Sequence, residues 1–206
     1  MMYHSVIICK PITTSNILIE IELMMQILPL HLSDAEFEQL KLNPSKSDRK
    51  YIRYQEFLRE HAQATEQEIA AFEQEYQIEL PDEYREFLKQ NNGGRPELDC
   101  FKDEVINYFL GILDWPGSFD SIQHTISQRY PVGMLPIAST GGGDLLLLGW
   151  KGEFKSKIYY WSHDWEAEGS GEYYFDNVEW IADSLTDFLA MLYELEDDEF
   201  DYLGHE

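Results

Sequence analysis

Two cysteines, Cys9 and Cys100, are too few and too far apart for a disulfide framework, and without a CxxC they offer no zinc spacing. A reducing cytoplasm is the expected compartment. Long apolar runs are also missing. The best, Ile17 to Leu30, is broken by Glu20 and Glu22 and is too short to span a bilayer. The N-terminus has a single Lys and no small-residue cleavage site after a clean apolar stretch, so no signal peptide is expected. Internal repeats and low-complexity linkers are absent. Basic charge is scarce where it would matter most. Residues 61–206 carry 8 Lys and Arg against 31 Asp and Glu, whereas residues 1–60 carry 7 against 8, and the whole chain has a net charge of -24. Such a field repels nucleic acid, whose binding rests on cations meeting phosphates, and anionic membrane surfaces for the same reason. It attracts a basic protein and speeds the encounter.

Signatures of catalysis are missing too. Gly141-Gly142-Gly143-Asp144 has the glycines of a phosphate loop but not its context, since it joins strand to strand and brings Asp where Lys and Ser or Thr are needed. His163-Asp164 with Asp144 and Asp176 supplies ligand types for a hard cation, yet no ligand spacing supports a metal site. Ser139 and Ser162 lack a GxSxG elbow. Asp99, next to Cys100, would oppose thiolate formation. Glu73 lies inside a helical pattern, where a carboxylate caps or pairs. No catalytic residue, cofactor or metal is expected, and the chain is not read as an enzyme.

What is present is a strong central pattern, Glu68 to Pro96. Thr65 with Glu68 forms a capping box, and Ile69, Phe72 and Tyr76 share one helical face. Glu79-Leu80-Pro81 is the expected break, because the residue before proline avoids helix while proline suits a first turn. Asp82 and Glu83 favour the next helix start. Tyr84, Phe87 and Leu88 form its buried face, and Asn92-Gly93-Gly94 is the expected left-handed stop.

Before this pattern, Val6–Ile8 and Ile17–Leu23 predict strands, and Met24-Met25 offers an alternative translation start. Ser33 with Glu36 caps a short helix, with Leu32 stapled to Phe37. Asn43-Pro44-Ser45 predicts a turn, and Asp48–His61 a helix carrying the basic cluster Lys46, Arg49, Lys50, Arg53 and Arg59, read as a solvated face or a contact for an acidic surface. After the pattern, Val105–Leu113 predicts a strand buried on both faces, and Ser118–Arg129 a helix. Strands follow at Met134–Ala138, Leu145–Trp150, Lys157–His163 and Tyr173–Phe175. A closing helix starts at Ser184, capped with Asp187, and an acidic, solvated tail follows Leu195. Short strands joined by tight turns pair antiparallel. The expected fold is α+β, a central, mostly antiparallel sheet covered by helices. Most of the five tryptophans belong in the core. Trp165 is the expected exposed one, an anchor ringed by carboxylates.

Several stretches, in order, resemble the SUKH superfamily: the acidic helix with Leu80-Pro81, Tyr84, Phe87 and Asn92-Gly93-Gly94; Leu135-Pro136-Ile137-Ala138; Gly142-Gly143-Asp144 with Leu145-Leu146-Leu147; Ile158 to Asp164; and Ile181-Ala182-Asp183-Ser184-Leu185 with Phe188-Leu189. Leu185 stands where the family often has Phe. The resemblance implies a SUKH-like domain over 63–206, ending in the acidic tail; it does not reach residues 1–62, which the residue pattern itself makes a mixed N-terminal extension of strands plus two helices. It implies structural roles for Glu73, Leu80, Pro81, Tyr84, Phe87, Asn92, Gly93, Gly94, Pro136, Gly143 and Asp144. Family members commonly act as bacterial immunity proteins, and a yeast cell-wall-synthesis regulator is related to them. The resemblance therefore implies a non-catalytic immunity protein that neutralises a cognate toxin by steric and electrostatic occlusion, and the acidity of residues 61–206 points to a basic toxin, such as a nuclease. The alternative is a general interaction or regulatory scaffold. Asp164, Trp165, Glu166, Glu168 and Glu172 are the candidate contact residues, chosen for loop position and charge.

Overall fold

The computed structural model describes residues 27–113, 118–126, 129–163 and 176–194, with only the backbone course given at 123–126. The expected strands at 6–8, 17–23 and 173–175, the tail after Leu195, and Trp115 lie outside the described residues.

The first described strand, β1 (Ile27–Leu28), leads to helices α1 (Asp34–Lys41) and α2 (Lys46–Glu60). Ser33 and Glu36 close the expected capping box on α1. α2 starts two residues earlier than the sequence reading, because Ser45 and Asp48 form a second capping box where only a turn was expected. It ends at Glu60, with His61 as its cap.

Next come α3 (Glu66–Tyr76) and α4 (Asp82–Gln90). Thr65 and Glu68 cap α3 as expected. The helix stops before the proline step, since Gln77 turns left-handed (φ 54°) and the Ile78 N–H closes on the Glu73 carbonyl at 3.0 Å. α4 likewise ends without a glycine cap, because its cap, Asn91, is extended. Gly93 and Gly94 serve packing beyond the helix. A Cβ on Gly93 (φ 85°) would lie 2.9 Å from the Gly111 nitrogen, and one on Gly94 would lie 2.5 Å from Ile27 Cγ2.

β2 (Arg95–Pro96) pairs antiparallel with β1. The main sheet is a six-stranded antiparallel meander of β3 (Cys100–Phe101), β4 (Glu104–Phe109), β5 (Met134–Thr140), β6 (Leu145–Gly149), β7 (Ile158–Trp161) and β8 (Val178–Ala182). α5 (Phe119–Ile126) joins β4 to β5, and α6 (Leu185–Ala190) follows β8. The sheet curls until Lys102, in the β3–β4 turn, pairs with Glu179 of β8 at 2.6 Å. The fold is α+β.

The short strands β1, β2 and β3 were not expected from the sequence, and two longer strands also differ from that reading. β4 stops at Phe109 and is not buried on both faces, since Asn107 is exposed. Beyond it the Ile112 N–H is taken by the Asn92 side chain at 2.9 Å. β8 was missed. Its Ile181-Ala182 looked like a lead-in to the closing helix, but Ile158 and Ala182 are partners in the β7–β8 ladder.

Alternation along β6 and β7 explains why nearly every residue there is apolar. Leu146, Leu148 and Ile158 join the main core with Ile69, Phe72, Tyr84, Phe87 and Leu88 of α3 and α4, and with Phe188 and Leu189 of α6. Leu145, Leu147, Tyr159 and Trp161 point to the other face, where Tyr130 and Met134 complete a second cluster and Ile122 of α5 packs against it. A sheet buried on both faces loses the clean apolar–polar alternation of a half-exposed one.

Candidate interaction surface

Most residues marked by the resemblance make contacts that join one element to another. Glu73 accepts from the Leu80 N–H at 2.9 Å and from the Arg85 guanidinium, tying α3 to the start of α4. Its neighbour Glu66 takes Arg85 and, at 2.8 Å, Lys89. Leu80 is buried, and Pro81 sits at the N-terminus of α4 in the extended conformation that precedes a helix. Tyr84 and Phe87 stack at 5.9 Å between ring centroids, inside the core. Burial pushes the Tyr84 hydroxyl well above its usual pKa. Asn92 is a three-way clamp: its Nδ2 donates to the His61 carbonyl at 3.0 Å, its Oδ1 accepts from Ile112, and its N–H donates to the Ala62 carbonyl at 2.8 Å. Pro136 lies where the β5–β6 register shifts. Glu83, which sequence reasoning used only as a helix-start charge, accepts from the Leu185 and Thr186 N–H groups at 3.2 and 2.6 Å and so caps α6 from across the core.

Asp144 follows the left-handed Gly142-Gly143 turn and is nearly buried. One oxygen accepts from the Tyr160 hydroxyl. The other accepts from the His163 N–H at 2.8 Å and lies 2.6 Å from His163 Nδ1. Burial alone would raise its pKa, but the hydrogen bonds from Tyr160 and His163 outweigh that and hold the carboxyl below its usual range. Burial, and then the bond to Asp144, push the Tyr160 hydroxyl up, so it remains a donor. The arrangement pins the end of β7 to the β5–β6 turn. Among the described residues no cluster of His, Cys, Asp and Glu has the geometry to hold a metal ion.

A cleft of about 340 Å³ lies between β1, α2 and the end of α4, lined in part by Leu30, His31, Arg59, Gln63 and Asn91. Its guanidinium is engaged with Asp34 at 2.6 Å and the Leu32 carbonyl at 2.5 Å, and rests on the Phe37 ring. No nucleophile–base pair converges there.

The surface itself carries the more informative feature. Trp180 is 54% exposed on β8, the last strand of the sheet, and pairs across the ladder with Tyr159. Burial, followed by the charges of the exposed Glu153 and Asp183, raises the Tyr159 hydroxyl. Trp150 is half-buried and Trp161 fully buried. The exposed anchor among the described residues is therefore Trp180. The sequence reading puts Trp180 with the tryptophans of the core, because no strand is expected at 178–182. Asp164, Trp165, Glu166, Glu168 and Glu172 lie outside the described residues, in the segment that joins β7 to β8.

Helices packed over a curled antiparallel meander, with a buried Asp144 anchor, define an α+β fold of the SUKH type. The model of the SMI1 / KNR4 family (SUKH-1) matches residues 63–191, and the chain belongs to that family. The family is generally non-enzymatic and is known in toxin-immunity contexts. A search of curated proteins finds no match. Among the described residues no helix is long and apolar enough to cross a membrane.

Proposed function

We propose that this protein is a cytoplasmic, non-catalytic immunity protein that binds a basic cognate toxin, a nuclease fitting best, and neutralises it by occlusion. The family match over residues 63–191 carries the reading. The concentration of negative charge after residue 60 supports it, because a nuclease active site is built to hold phosphate and an acidic inhibitor copies that charge. The proposed contact surface centres on Trp180 and Tyr159 with Glu153 and Asp183, joined by Asp164, Trp165, Glu166, Glu168 and Glu172 of the β7–β8 segment. The proposed domain division falls at residues 62 and 63, and Asn92 bridges it.

The test is co-expression with the C-terminal domain of a large secreted protein encoded beside this gene. Survival of the cells together with a stoichiometric complex is the expected result. Continued killing with no complex overturns the proposal and shifts weight to a scaffold role. Raising salt should slow association strongly and change dissociation little. Salt-independent association would sink the charge-mimic mechanism.

A further inference from the structure

Lys46, Arg49, Lys50 and Arg53 occupy positions i, i+3, i+4 and i+7 of α2, one continuous stripe, and all four are exposed. Gln55, buried on the opposite side of the helix, faces the protein. None of the four makes an ion pair among the described residues. The other cations on the described helices are all paired: Lys41 with Glu38, Arg59 with Asp34, Arg85 with Glu66 and Glu73, Lys89 with Glu66 and Glu86. An unpaired four-cation stripe on a chain of net charge -24 calls for an acidic occupant.

We propose that the occupant is the chain's own C-terminal tail, residues 195–206, which docks on this stripe. The tail carries Glu196, Asp197, Asp198, Glu199, Asp201 and Glu206 and no Lys or Arg. Its point of departure suits the docking. Tyr193 is held in a two-way backbone bridge with Cys100 of β3, at 2.9 and 3.0 Å. Cys100 is five residues beyond Arg95 of β2, which pairs with Leu28 of β1, and Leu32, four residues after Leu28, is hydrogen-bonded to Gln55 of α2. Extended, the eight residues from Tyr193 to Asp201 span up to about 28 Å, longer than the roughly 11 Å from Lys46 to Arg53 along α2. A separate acidic partner would approach against the field of the whole molecule, whereas a tethered segment is present at an effective concentration of order millimolar. Docking would neutralise the basic stripe and leave the carboxylate-rich surface as the dominant field. This inference is independent of the toxin reading.

Carbodiimide coupling of the full chain, with equal parts of ¹⁴N- and ¹⁵N-labelled protein mixed, tests it. Lys46 and Lys50 should be joined to peptides from residues 195–206 of the same isotopic label. Lys89 joined to Glu86 is the internal control. The tail links should vanish in the E196Q/D197N/D198N/E199Q/D201N variant and in about 1 M salt, where the Debye length is about 3 Å. Mixed-label links, links of Lys46 and Lys50 to other carboxylates only, or no links at all overturn the proposal. A second measurement removes residues 195–206. Tryptic cleavage after Arg49, Lys50 and Arg53 should then be about threefold faster, since cleavage tracks the population of the accessible form. An unchanged rate overturns the docking.

Discussion

Residues 27–62 and the family-matched part of the chain are stabilised in different ways. α4 places Tyr84, Phe87 and Leu88 in the core within a helix of 9 residues. α2 has 15 residues, and its one buried side chain is the polar Gln55, which accepts from the Leu32 N–H at 2.5 Å. α1 buries only Phe37, under the Arg59 guanidinium. The first region is held internally by the bonds of Gln55 to Leu32 and of Arg59 to Asp34 and is joined to the second at a seam formed by the β1–β2 pairing and by Asn92, while the second is held by apolar burial. Apolar burial is non-directional and roughly proportional to area, whereas an attachment by a few polar bonds depends on each of them. The seam should therefore open at a lower free energy than the core.

Substitutions can break or sharpen this contrast. The largest effect is expected at Phe188, fully buried and edge-on to Phe101 at 5.4 Å. Phe188→Ala should cost about 3–5 kcal/mol in urea unfolding, and Phe37→Ala clearly less. Equal costs would show that the N-terminal helices belong to the same cooperative core. Gly93→Ala comes next, at about 1–3 kcal/mol, because alanine must hold a left-handed backbone against the Gly111 nitrogen. Its thermal melt should show whether the seam and the core unfold together.

Asp144→Asn should cost about 1–3 kcal/mol by weakening the bonds that hold β7 to the glycine turn. A pH series gives the sign. The folded-state pKa of Asp144 lies below the unfolded value of about 3.9, so its contribution is present above that pH and is lost as pH falls through the folded value. The unfolded state binds more protons in that window. The stability of the wild type should therefore drop more steeply below about pH 4 than that of Asp144→Asn. A parallel loss in both proteins would remove Asp144 from the account.

Gln55→Ala should cost about 1 kcal/mol and act locally. Hydrogen exchange at the Leu32 amide should quicken while the core amides keep their protection. Uniform loss of protection would erase the distinction between the two regions. The smallest stability effect belongs to Trp180→Ala, within about 0.5 kcal/mol. That variant should nevertheless lose binding to the toxin found by co-expression, and full retention of binding would place the contact elsewhere.

Local signals were legible in the sequence wherever a short-range bond creates them. Ser33 with Glu36, Thr65 with Glu68 and Ser184 with Asp187 each lie three residues apart, and each pair is hydrogen-bonded as its spacing implies. The left-handed glycine turn before Asp144 was legible for the same reason. Signals that depend on distant partners were not. Asn92 looked like part of a helix stop, but its side chain spans from His61 to Ile112. Glu83 looked like a charge at a helix start, yet it caps a helix about a hundred residues away in the chain.

The sequence alone determined the helices of the central pattern, most strands of the meander, the α+β class and the acidic character of the later chain. Periodicity and capping act within a few residues and charge is additive, so none of these needs a partner from elsewhere. Only the tertiary structure decided that β6 and β7 are buried on both faces, that Ile181-Ala182 belongs to a strand, and that Trp180 is left exposed. Burial is a property of what packs against a residue, and for β8 the deciding neighbours come from β7 and the curl of the sheet.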